Sequence, residues 1–278
     1  MSARISLERF LAGLDAIPGW FSLLDAHLFI AFDRLQRKAG IRGDLLEIGV
    51  YRGRSAVLLG YLLGSGEGLV GCDIFEAMPP DESNRMEQTL WYGGLTRQLF
   101  EDTYRRYHVV PPTIVATPSV ELRRHLGEMP RFRMIHVDAS HTYDNVRADL
   151  ATARALLIDG GIVVLDDYRA IHSPGVAAAI WRDVAETDLL PVCLTAAKMY
   201  AMWSPVPVDW DVALDEFARG HPFLRPTRVP LPGRNVLLIE GDIRPAGSTR
   251  WPAGLRRAYW TWRRSLRLGR AARRAVAR

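Results

Sequence analysis

Two absences narrow this 278-residue sequence at once. Cysteine occurs only at Cys72 and Cys193, too few for a disulfide framework or a cysteine-based zinc site. Both lie in apolar, strand-like runs and read as buried thiols in a reducing compartment. No apolar run reaches the ~18 uncharged residues of a spanning helix. The segment Trp20 to Phe32 comes nearest and is interrupted by Asp25 and His27. The opening MSARISLERF lacks the apolar core and cleavage site of a secretory signal, so the expected location is cytoplasmic. Lysine is also scarce. Of 36 basic residues only Lys38 and Lys198 are lysines.

The surplus of positive charge is local. Residues 249–278 hold ten arginines and no acid, which leaves 26 basic against 31 acidic residues elsewhere. The body is therefore acidic, which argues against nucleic acid as its partner. Leu255, Tyr259, Trp262 and Leu266 line one face of a helix expected within the arginine-rich tail, 246–278. Such a helix packs on its own domain or on a second subunit, giving a homodimer, or rests on an anionic membrane surface.

Residues 1–40 read as an N-terminal helical cap broken at Pro18-Gly19. From Asp44 the pattern alternates between short apolar strands and helices. Strands are expected at Leu45–Gly49, Leu69–Asp73, Thr113–Ala116, Arg133–Asp138 and Ile162–Asp166. That alternation specifies an α/β fold, a Rossmann-like doubly wound, mostly parallel sheet with helices on both faces. The domain is expected to span 41–245. Past Leu190, strands are expected at 192–194, 198–203 and 235–239, separated by proline-rich irregular chain.

In such a sheet, ligands gather beyond the carboxyl ends of the strands. The first strand ends in Glu47-Ile48-Gly49-Val50-Tyr51-Arg52-Gly53-Arg54-Ser55, where two glycines permit a tight turn and a close ligand before a helix. The spacing is not that of a dinucleotide-binding G-x-G-x-x-G loop. The second strand ends in Asp73, whose carboxylate can accept from a ribose diol. Together the two indicate a nucleoside-containing cofactor. Thr117-Pro118-Ser119 follows the third strand, and Thr117 reads as a helix cap whose backbone can also touch the nucleoside base.

Asp138 and His141 share one loop after the fourth strand, and Asp166-Asp167 ends the fifth. Neighbouring parallel strands are ~4.8 Å apart, so three carboxylates can converge. A hard divalent cation, Mg²⁺ or Mn²⁺, would relieve their repulsion. His141 is the natural general base, or else a fourth metal ligand. The other histidines, including His172, have no comparable setting, and His136 reads as an interior residue. Residues 81–110 read as a mobile lid whose Trp91 and Tyr92 stack on an acceptor while Gly93-Gly94 lets it close.

The motifs Glu47-x-Gly49-Val50-Tyr51-Arg52-Gly53, Asp73-Ile74-Phe75-Glu76-Ala77-Met78-Pro79-Pro80-Asp81 and Asp138…Asp166-Asp167-Tyr168 resemble the class I S-adenosylmethionine-dependent methyltransferases. Within these, the sequence is most similar to the metal-dependent macrocin and mycinose type of sugar O-methyltransferase. The resemblance runs from Asp44 to Glu186. It implies that Glu47, Gly49 and Gly53 hold the methionine end of S-adenosylmethionine and Asp73 its ribose; Tyr51, Ser55, Thr117, Ser119 and Asp138 are expected at the cofactor as well. It implies Mg²⁺ on Asp138, Asp166 and Asp167, and an acceptor near Trp91, Tyr92, His141 and Tyr168. Where several relatives carry a second aspartate as base, this chain has Ser140, which returns the base to His141. The implied acceptor is a small-molecule or oligosaccharide hydroxyl; phenolic or polyketide hydroxyls, an RNA methyltransferase and a non-catalytic binding protein are the alternatives.

Overall fold

A computed structural model describes residues 5–79 and 82–243, apart from the side chains of Ser83 and Trp91. The arginine-rich tail expectation lies outside the described residues.

The chain begins with α1 (Leu7–Ala12), a 3-10 turn and α2 (Leu23–Lys38), then alternates through β1 (Asp44–Ile48), α3 (Arg54–Tyr61) and β2 (Leu69–Asp73). Two helices follow, α4 (Glu82–Trp91) and α5 (Arg97–Arg105), before β3 (Thr113–Ala116). Next come α6 (Leu122–Leu126), β4 (Phe132–Val137), α7 (Tyr143–Leu156), β5 (Leu157–Leu165) and α8 (Pro174–Glu186). The last part is β6 (Leu190–Leu194), β7 (Met199–Met202), α9 (Trp210–Arg219), β8 (Leu224–Leu231) and β9 (Arg234–Gly241).

Among the described residues, nine strands form one sheet in the order β3-β2-β1-β4-β5-β7-β6-β9-β8. The five strands from β3 to β5 are parallel, because each is joined to the next by helical chain that must cross back over the sheet. β7 runs antiparallel between β5 and β6, and β8 pairs antiparallel with β9. Alternate residues feed two cores. Leu45, Met134 and Val164 face the layer of α2, α3 and α5, whereas Leu46, Ile135 and Val163 face α7 and α8. Both faces are covered, which is why these strands read as continuous apolar runs rather than alternating ones.

Three sequence expectations change. The N-terminal segment is not a cap over an edge: Phe10, Phe21, Phe29 and Phe32 are buried in the same core as β1 and β4. The span 81–110, expected as a lid, holds two helices; Thr96 caps α5 by accepting from Leu99 N, and the apolar positions Leu95, Phe100 and Tyr104 are buried. The proline-rich stretch near 226–230 is β8, an edge strand, where a missing N–H costs little because one side has no partner strand.

At the amino ends of the strands, away from Asp73 and Asp138, a buried arginine joins the layers. Arg133 on β4 is fully buried and contacts Glu67 through Nε and Nη2, each at 3.0 Å, Asp33 at 2.8 Å and the Leu62 carbonyl at 2.8 Å. The planar fork suits this shared recognition as an ammonium would not. Burial alone would raise the Glu67 carboxyl, but hydrogen bonds from Arg133, Gly64 N and Gly43 N hold it at about 2. A depressed folded pKa means this stabilisation is complete above the ordinary glutamate range and is lost as pH falls toward 2. In urea melts from pH 7 to 3, the wild type should therefore lose stability below about pH 4.5. Arg133→Met should be less stable at pH 7 by ~3–5 kcal/mol and show a flatter acid limb.

Candidate active site

The first β–α turn is built around glycine. Gly49 has φ +90° and Gly53 φ +86°, and Tyr51 between them is also left-handed at +47°. A Cβ on Gly49 would lie 2.0 Å from the Asp138 carbonyl oxygen, so the β1 and β4 loops can meet only without a side chain there. Asp73, at the end of β2, locks the turn. Its Oδ2 accepts from Tyr51 N and its Oδ1 from Phe75 N, both at 2.9 Å. Burial raises the Asp73 carboxyl even against these bonds.

A cleft of about 1130 Å³ of empty space opens beyond these strand ends. Of the residues expected at a cofactor, Gly49, Tyr51, Ser55, Asp73, Thr117, Ser119 and Asp138 line it. Thr117 does so with no capping bond, since the short 3-10 turn begins at Ser119 after Pro118. Tyr92 joins the lining, and with Trp20 and Tyr51 it forms an aromatic rim, with ring centroids 5.4, 5.7 and 6.4 Å apart. Trp20 comes from the N-terminal segment and was not a sequence candidate. To the same lining α4 supplies Asn84, which accepts from the Ser140 hydroxyl at 2.6 Å, and Glu87. Gln88 fastens α4 to the body by donating to the Phe75 and Ala77 carbonyls.

Three expected contacts do not face the cleft. Gly53 is left out of the lining, and its Cα packs near the Phe100 ring. Tyr168 is buried in the core, with its hydroxyl donating to the Thr195 carbonyl at 3.0 Å. Glu47 is wholly buried and bonds His136 Nδ1 at 2.7 Å instead of pointing outward. The Trp91 side chain lies outside the described residues.

Glu47 begins a chain of buried polar groups beneath the cleft. His136 Nε2 lies 2.9 Å from Lys198 Nζ, and that ammonium lies 2.9 Å from Asp166 Oδ2. Burial and the adjacent Lys198 charge push His136 well below its ordinary range, so it is neutral and accepts from the lysine at Nε2. Nδ1 must then carry the hydrogen donated to Glu47. Burial lifts Glu47 to about 8. Lys198 is raised despite its burial by Asp166, Asp138 and Asp25. Asp138 is pushed well up, first by burial and then by Asp166 beside it.

This arrangement does not fit the three-carboxylate Mg²⁺ cage expected from the sequence. Asp138 and Asp166 come together, with Asp166 Oδ1 left without a hydrogen-bond partner, but a fixed ammonium already compensates the pair. Asp167 does not join them. Its backbone is left-handed, with φ +56°, and its Oδ2 sits 3.2 Å from His141 Nε2 and 3.0 Å from His172 Nε2.

His141 contacts Glu87 through Nδ1 and Asp167 through Nε2. Burial would lower its pKa, but bonds to those two carboxylates raise it to about 10. It lines a smaller cavity next to the main cleft, with Asp138 and Ser140 common to both. His141 is thus not a free neutral base at pH 7. His172 and Lys198 escaped sequence reasoning, although the scarcity of lysine already set Lys198 apart.

A glycine turn after β1, an acid after β2 and an antiparallel β7 inserted beside β5 define the class I, Rossmann-like methyltransferase fold. Residues 46–168 match a family model described as a methyltransferase domain. Among solved structures, the O-methyltransferase NovP is similar at 15% identity over 71% of this chain and 88% of its own, with a TM-score of 0.56. CalS11, a calicheamicin methyltransferase, is similar at 19% identity over 73% of this chain and 88% of its own, with a TM-score of 0.49. No curated protein matched. The likeness to NovP establishes the fold. Among the described residues, no helix is long and apolar enough to cross a membrane.

Removing the buried ammonium should be costly, because it strands Asp166 and Asp138 together. Lys198→Met should lose ~3–5 kcal/mol in urea denaturation. Lys198→Arg should not recover it, since a planar guanidinium is bulkier than the enclosed ammonium and offers a different donor pattern.

Proposed function

We propose that the protein transfers the methyl group of S-adenosylmethionine to a hydroxyl of a small glycoside-like acceptor. The observation that carries this reading is a single cleft with two chemical ends. The reading assigns Gly49 and Asp73 to the cofactor end, and Ser140, Asn84, Glu87 and the Trp20–Tyr51–Tyr92 cluster to the acceptor end, all of them lining that cleft.

The cofactor end suits a nucleoside. Gly49 lets the β1 and β4 loops meet at the cleft, and the Asp73 carboxylate lines it, where a carboxylate can accept from a ribose hydroxyl. The other end suits an acceptor with polar groups on a ring of apolar faces. Trp20, Tyr51 and Tyr92 offer flat surfaces for the C–H faces of a sugar, and the α4 side chains offer hydrogen bonds. The resemblance to sugar O-methyltransferases points to the same acceptor class.

The sulfonium already carries a good leaving group, so the protein must align the hydroxyl with the methyl and take up its proton. Glu87 faces the cleft and rests on His141, which rests on Asp167. Glu87 takes the acceptor proton, and protonated His141, held between Glu87 and Asp167, fixes that carboxylate in place. His141 thereby acts through Glu87 and does not work as a lone base.

Methyl transfer should be followed from labelled S-adenosylmethionine to a panel of glycosides and phenols. Glycosides should be methylated, and His141→Ala should lower turnover by ~10²–10⁴ while leaving S-adenosylhomocysteine affinity within about twofold. Transfer to phenols alone would contradict the acceptor reading, and unchanged turnover would remove the network from the reaction.

A further inference from the structure

We propose that His141 Nε2, Asp167 Oδ2 and His172 Nε2 form a binding site for a divalent transition-metal ion with affinity for imidazole, of the cobalt, nickel or zinc kind. This site is separate from the Asp138–Asp166 pair.

The donor atoms are already close to the separation that a shared ion imposes. All three lie within 4.8 Å of one another, with Asp167 Oδ2 at 3.2 and 3.0 Å from the two imidazole nitrogens. Ligands ~2.1 Å from one ion are roughly 3–3.4 Å apart at octahedral or tetrahedral angles. Little rearrangement is needed.

Three features hold the set in place. The left-handed backbone at Asp167 turns its carboxylate away from Asp166 and toward the histidines. The Ser173 hydroxyl donates to Asp167 Oδ2 at 3.3 Å. Glu87 contacts His141 Nδ1, the nitrogen that is not facing Asp167. Metal uptake displaces the proton that His141 holds at Nε2, after which Glu87 keeps the remaining hydrogen on Nδ1 and the Nε2 lone pair faces the ion, the arrangement found behind metal-bound histidines.

The donor chemistry decides the class of ion. Two imidazoles and one carboxylate suit late first-row metals, whereas Mg²⁺ prefers an all-oxygen shell. The site is reachable from outside, since His172 is half exposed and His141 and Asp167 are partly so. It is also next to the cleft, because Glu87 and Ser140 line that wall. The inference rests on the cluster alone and does not depend on the identity of the acceptor.

The test is Co²⁺ titration of chelator-treated full-length protein, followed by visible absorption and calorimetry. Both cysteines are buried, which limits thiolate binding as a competing signal. The wild type should take up one Co²⁺ per chain with a d–d spectrum of nitrogen and oxygen ligands. His172→Ala, a change at an exposed turn, should weaken uptake by at least ~10-fold. His125→Ala, at an exposed histidine on α6, should leave it unchanged. Millimolar Mg²⁺ should not displace the cobalt.

Absence of stoichiometric uptake would overturn the proposal and leave the cluster as an imidazole–carboxylate network. So would uptake indifferent to His172→Ala, or displacement by Mg²⁺. S-adenosylhomocysteine binding, measured on the same samples, serves as a check of folding. Its failure alongside normal cobalt uptake would reject the methyltransferase reading and leave the metal site standing.

Discussion

The polar floor of the cleft depends on one buried ammonium. Lys198 sits among Asp166, Asp138 and Asp25, three carboxyl groups drawn from β5, the β4 loop and α2. Without a compensating charge they could not all be held so close in a low-dielectric interior. Its other contact, His136, passes the constraint to Glu47 at the start of the glycine turn. The groups beneath the cofactor end and the acceptor end are therefore one hydrogen-bonded unit. The same electrostatics explains why Asp166 and Asp167, adjacent in sequence, do different things. Asp166 turns to the ammonium, and Asp167 is reversed by its left-handed backbone toward two histidines.

Much of the parallel half of the fold was legible because it follows from a short-range rule. Apolar runs ending in Gly49, Asp73 and Asp138 mark strands covered on both faces, and helices between them force parallel pairing. The glycine turn was legible for a steric reason, the approach of the Asp138 carbonyl, although the sequence could not show what approached. Legibility failed where long-range partners decide the outcome. The resemblance makes Glu47 a cofactor contact, yet its side chain faces His136 from the neighbouring strand. Tyr168 follows the double aspartate and is buried, because its hydroxyl finds the Thr195 carbonyl, 27 residues away. The β8 strand was hidden by Pro226 and Pro230, which an edge position tolerates.

The candidate site is split between scaffold and accessory elements. Strand ends supply Gly49, Asp73, Asp138 and Asp167, and their positions are fixed by the sheet. Trp20, Tyr92, Asn84 and Glu87 come from the N-terminal segment and α4, which pack over the strand ends. This division suits an enzyme that keeps one cofactor geometry while its acceptor wall is shaped by helices outside the sheet. His141 belongs to both parts: its backbone is in the β4 loop, and its side chain is oriented by Glu87 from α4.

The central claim is that the turn after β1 and the acid after β2 form a nucleoside site. Calorimetric titration of S-adenosylhomocysteine into the wild type and Asp73→Ala tests it most directly. The account predicts one molecule bound per chain by the wild type, and affinity at least ~10-fold weaker once the ribose acceptor and the brace on Tyr51 N are gone. Absence of binding by the wild type, or equal affinity in the two proteins, would contradict it.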